Sequence, residues 1–152
     1  AFRRLEKSYR FAFSAVLTLV HDVVLVTGIY ALLGHIFGLQ VNSVFIVALL
    51  TVIGYSVNDT IVIFDRIREN QIKYPDNKYS SNINISINES IIRSLGTSIT
   101  TLLVLFSMLV LGGSTLREFI VVLILGVIVG TYSSIFIASQ FLIIWEEGIK
   151  KK

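Results

Sequence analysis

The chain has 152 residues, of which 54% are hydrophobic and 15% charged, with a mean hydropathy of +0.79. Soluble domains carry about 25% charged residues, so a water-soluble globule is excluded. The net charge of +3 sits in short flanks and not on one large face, which argues against a nucleic-acid partner.

The N-terminal flank, Phe2–Arg10, is basic and amphipathic and does not resemble a cleavable signal. A start on Ala1, within a charged flank, points to a piece of a longer chain. Four windows follow, 11–34, 41–64, 94–116 and 119–145, and they hold only two of the 23 acidic and basic residues, Asp22 and Asp59. Each exceeds the about 20 residues needed to cross a hydrocarbon core about 30 Å thick. The expected fold is an all-α membrane protein in a lipid bilayer. Its spanning helices lie near 11–34, 41–64, 91–112 and 118–145, with a loop over about 65–90.

The first window carries His21-Asp22 near mid-membrane. A carboxylate beside an imidazole at that depth either carries protons or fixes packing. The short connection Gly34–Gln40 has no Lys or Arg. In the second window Tyr55, Ser56, Asp59 and Thr60 share a helix face, with Thr51 and Asn58 beside it. Phe64–Asn70 reads as a helix leaving along the membrane surface, stopped by Pro75 and Asn77, and Ser80–Asn84 as a mobile polar stretch. Ser86-Ile87-Asn88-Glu89 fits a capping box opening the third spanning helix, and Thr115-Leu116-Arg117-Glu118 fits one before the fourth.

In the third window Arg93, Thr97, Thr100 and Thr101 form a polar stripe by helical spacing. Arg93 and Asp59 lie in the same leaflet, so a water-filled gap between them reads as a proton relay, or else as an ion pair that orients two helices. In the fourth window Gly126, Gly130, Ser134 and Ala138 recur every four residues, the spacing that lets helices approach closely. Lys and Arg favour the cytoplasmic ends of spans. Twelve of the 13 lie on the side of both termini and the middle connection, against Arg117 alone on the other, so both termini are expected in the cytoplasm.

Other chemistries find little support. The chain has no Cys, and its two His residues show no metal-ligand spacing, so neither a metal nor another cofactor is expected. No nucleophile–base constellation or nucleotide loop is present, so an enzyme is not expected either.

Seventeen residues, Gly54-Tyr55-Ser56-Val57-Asn58-Asp59-Thr60-Ile61-Val62-Ile63-Phe64-Asp65-Arg66-Ile67-Arg68-Glu69-Asn70, resemble the signature of the SecF family of protein-export membrane proteins. His21-Asp22-Val23, the stretch Arg93–Thr101, Gly112-Gly113 and Gly130-Thr131-Tyr132-Ser133-Ser134 match it in the same order. The resemblance implies half of a resistance-nodulation-division transporter: six spanning helices with a periplasmic domain between the first two, of which this chain holds the last four helices and no periplasmic domain. It implies SecD as partner, the SecYEG channel with YajC and YidC as neighbours, and a preprotein as substrate, moved with help from the proton-motive force after SecA has acted. The location implied is the bacterial inner membrane, or a thylakoid-type membrane. Asp59 and Arg93 stand where the family places its proton-coupling pair, with Asn58 also matching. The family usually has Thr where this chain has Ser94 and often Asn where it has Gly96. A small-molecule or lipid exporter of the same superfamily and a passive assembly module are the competing readings.

Overall fold

The computed structural model describes residues 8–113 and 116–150. Four long helices make up these residues: α1 (Ser8–Phe37), α2 (Ser43–Lys73), α3 (Tyr79–Leu111) and α4 (Arg117–Lys150). All four are long and apolar enough to cross a membrane. Arg3, Arg4, Lys7, Lys151 and Lys152, used above for orientation, and Thr115 of the second capping box lie outside the described residues.

The ends of the helices follow from local chemistry. α1 stops at Gly38, whose φ of 73° is open to glycine without a Cβ penalty, and its N–H closes on Gly34 O at 2.8 Å. α2 starts at the N-cap Asn42, whose side chain accepts from the Phe45 N–H at 3.0 Å and donates to Glu118 at 3.0 Å, tying the starts of α2 and α4 together. Pro75, which has no N–H, follows the end of α2.

The region expected as a loop is mostly helix. Only residues 74–78 separate α2 from α3. Phe64, Ile67 and Asn70 continue the inward face of α2 and are buried against the bundle, so this stretch does not lie along a membrane surface. Ser80–Asn84 is helical, and Ser86 sits two turns inside α3, donating to Asn82 O at 2.6 Å instead of capping a start. The polar side chains here are paired across the hairpin. Asn70 Nδ2 donates to Ser86 Oγ at 3.0 Å and to Glu89 at 2.6 Å, and Glu89 also takes Arg66 Nε at 2.8 Å.

α2 and α4 form the central pair, with α1 packed on both from one side and α3 from the other. Gly126 and Gly130 allow this: a Cβ on Gly126 would meet Val52 Cγ2 at 2.0 Å, and one on Gly130 would meet Ser56 Cβ at 3.2 Å. Ala138 is fully buried on the same helix. Near the α2–α3 turn, Phe11, Ile63, Phe64, Ile67, Ile83, Ile135 and Leu142 form one apolar cluster. Toward the opposite end, Val26, Tyr30, Phe45, Ala48 and Val122 form a second and Leu105, Ile120, Ile124 and Val127 a third.

Candidate functional site

Between these apolar clusters lies a layer of buried polar side chains to which all four helices contribute. α1 supplies Asp22, α2 Ser56, Asp59 and Thr60, α3 Ser94 and Ser98, and α4 Thr131 and Ser134. Apolar surroundings make each unpaired polar group costly, and most of these groups are paired across helices. Ser94 Oγ donates to Asp59 Oδ1, and Ser56 Oγ to Asp22 Oδ2. Thr60 and Ser134 hydroxyls meet at 3.0 Å. Ser98 bonds Tyr55 at 3.0 Å and Thr131 at 2.5 Å.

Asp59 is the exception. Its Oδ2 is buried and has no hydrogen-bond partner. Asp59, Asn58, Tyr55, Arg93, Ser94 and Thr97 line a cavity of about 90 Å³, room for a few waters at about 30 Å³ each. Arg93 thus shares a cavity with Asp59, but no ion pair joins them among the described residues.

The polar stripe of α3 has a different phase from the one expected. Arg93, Thr97 and Thr100 are exposed on this four-helix unit and Thr101 is half-buried. Thr97, Thr100 and Thr101 return their hydroxyls to carbonyls of their own helix, at 2.9, 2.9 and 2.8 Å for the shortest contacts. The inward stripe is Ser86, Ser90, Ser94 and Ser98, at four-residue spacing. That spacing is visible in the sequence, one residue out of phase with the stripe of Arg93, Thr97 and Thr101. Of the residues grouped around Asp59, Thr60 pairs with α4 and Ser56 belongs to the Asp22 site. Ser134 serves both purposes of its stripe, being small and also hydrogen-bonded. His21 holds the other Asp22 oxygen through Nδ1 at 3.1 Å.

Residues 5–148 match the family model described as protein export membrane protein SecD/SecF, C-terminal. The chain belongs to the SecD/SecF family. It is 44% identical over 146 residues to the protein translocase subunit SecF of Thermobaculum terrenum, covering 96% of this chain and 46% of that protein. It is 44% identical over 142 residues to the protein translocase subunit SecDF of Thermus thermophilus, covering 93% of this chain and 19% of that one. A crystal structure of SecDF in the super-membrane-facing form superposes with a TM-score of 0.88 at 43% identity, over 95% of this chain and 19% of that chain. The chain therefore spans about half the length of the SecF relatives it matches. With four apolar helices, this SecD/SecF-family chain is a multi-pass membrane protein.

Proposed function

We propose that this chain is the transmembrane part of a translocase subunit that works with SecD. In this reading it uses the proton-motive force to help preproteins leave the SecYEG channel late in export. The observation that carries the reading is Asp59: a buried carboxylate inside an apolar helix bundle, with one oxygen held by Ser94 and the other unpartnered, on a cavity shared with Arg93. Intramembrane carboxylates are costly and mark ion or proton pathways. Water and Arg93 in the cavity favour the carboxylate, whereas a dry cavity with Arg93 withdrawn favours the protonated acid. A change in helix spacing that alters the cavity then binds and releases a proton in step with movement. SecDF among the relatives supports SecD as the partner. The asymmetry of basic residues supports cytoplasmic termini; in this reading the membrane is the bacterial inner membrane, with YajC and YidC as neighbours.

Asp59→Asn keeps the size and much of the hydrogen bonding but removes the titration. In the full complex at wild-type abundance it is expected to abolish gradient-stimulated export into energised vesicles. Undiminished stimulation would reduce Asp59 to a packing residue.

A further inference from the structure

A second carboxylate lies in the same layer, and the reading above makes no use of it. Asp22 is 1% exposed, midway along α1. Its Oδ1 faces His21 Nδ1 at 3.1 Å, and its Oδ2 accepts from Ser56 on α2. His21 is not buried with it: 34% of its side chain is exposed on this four-helix unit. One member of the pair is therefore sealed among helices while the other reaches their surface.

The groups facing Asp22 are few. α2 presents Ser56, with Asp59 one turn further along, about 4.5 Å in depth at 1.5 Å per residue. α4 carries no Asp, Glu, Lys, Arg or His from Phe119 to Trp145, and its titratable side chain in that stretch, Tyr132, is exposed. α3 does not pack closely on α1. His21 is thus the basic group in contact with Asp22 among the described residues, and the pair is limited to a small set of proton states.

We propose that His21 and Asp22 form a second proton site, with His21 Nε2 as its port and the Ser56 hydrogen bond as its link to α2. The proposal rests on the proton-driven reading above. In the unloaded state the ring is neutral, donates from Nδ1, and Asp22 is ionised. A proton arriving at Nε2 makes the imidazolium, and the Nδ1 proton then crosses to Asp22 Oδ1. The ring is left neutral as the Nε2–H tautomer, with Nδ1 accepting from the new carboxylic acid. One proton has entered and the site has gone from one negative charge to none. Release retraces the route, so the site acts as a switch and not as a conduit.

The switch has a mechanical output. Hydrogen bonds to an ionised acceptor are about twice as strong as neutral ones, so loading Asp22 weakens the bond from Ser56 and loosens α1 from α2. Ser56 also lies against α4 at Gly130: a Cβ there would stand 3.4 Å from Ser56 Cα. α4 in turn holds Thr60 through Ser134 and Ser98 through Thr131. A shift at Ser56 thus reaches the helices that hold Asp59.

The test uses the full-length subunit with its partners in proteoliposomes, comparing Asp22→Asn, Asp22→Glu, His21→Gln and Asp59→Asn. Asp22→Asn is expected to remove a pH-dependent carboxyl C=O band from the infrared difference spectrum. It should also lower gradient stimulation about tenfold or more, as loss of one charge-assisted hydrogen bond implies. Asp22→Glu should restore the band, and His21→Gln should alter the pH profile of stimulation. An unchanged band and unchanged stimulation in Asp22→Asn, with stimulation lost in Asp59→Asn, would overturn the proposal and leave the parent reading standing. Stimulation retained in Asp59→Asn as well would overturn the parent reading; the infrared band then decides whether Asp22 binds a proton. Should Asp22→Asn fail to assemble, His21→Gln decides, and an unaltered pH profile there refutes the port.

Discussion

Gly126→Ala adds one methyl group at the tightest crossing in the bundle. The new carbon would lie 2.0 Å from Val52 Cγ2, 2.5 Å from Cγ1 and 2.7 Å from Cβ. Carbon atoms pack at about 3.5–4.0 Å, so the shortfall at the nearest atom is about 1.5 Å. Turning the valine does not relieve it, because Cβ is fixed to the backbone and Val52 is 1% exposed. The helices must separate instead, loosening the neighbouring contact of Gly130 with Ser56 and the Val52–Val122 cluster. Overpacking of a well-filled core costs about 1–3 kcal/mol, and a clash with a fixed β-branched side chain belongs at the upper end, near 3. Gly96→Ala provides the contrast: nothing lies within 4 Å of its Cβ position, so helix propensity should give a gain of about 0.5–1 kcal/mol. Unfolding of the full-length protein in mixed micelles measures both. Adding Val52→Ala to Gly126→Ala removes two of the three clashing atoms and should recover part of the loss. A Gly126→Ala protein within about 0.5 kcal/mol of wild type would refute the close approach of α2 and α4.

Ser94→Ala removes the hydroxyl that donates to Asp59 Oδ1, which should cost about 1–3 kcal/mol and reduce gradient-stimulated export; Ser94→Thr, which keeps the hydroxyl, should be close to wild type in both unfolding and export assays. In the α2–α3 hairpin, Asn70→Ala strips the buried bonds to Ser86 and Glu89 and should destabilise by about 1–3 kcal/mol, whereas Arg66→Ala, which breaks only exposed ion pairs with Glu69 and Glu89, should leave stability close to wild type in the same unfolding measurement.

Hydropathy made the four helices legible because a hydrocarbon core demands long apolar runs with internally satisfied backbones. Gly126 and Gly130 were legible for a similar reason, since close helix crossings need small residues at fixed spacing. The stretch from Asp65 to Ser90 was not. Its Asn, Ser, Arg and Glu residues have the composition of a solvated loop. Helix there depends on pairing across the hairpin, as Asn70 with Ser86 and Glu89 shows. Pairing between residues 16 and 19 positions apart leaves no local periodic trace.

α3 carries two polar stripes, and periodicity alone does not choose between them. Ser86, Ser90, Ser94 and Ser98 stand about one residue, or 100° around the helix, from Arg93, Thr97 and Thr101. Hydropathy favours burying neither, and the charge on Arg93 invites the second as the partner of Asp59. Packing decides for the first. The serines face the bundle, where the Ser94 hydroxyl reaches Asp59 and the Ser98 hydroxyl reaches Thr131. The threonines carry an extra methyl and satisfy their hydroxyls on carbonyls one turn back, so they need no partner helix. Arg93 is then left at the cavity edge, beside Asp59 without being bonded to it. A locked ion pair would fix the carboxylate in one charge state. In the proposed cycle, a cation one step away across a wettable cavity leaves that state dependent on how the helices stand.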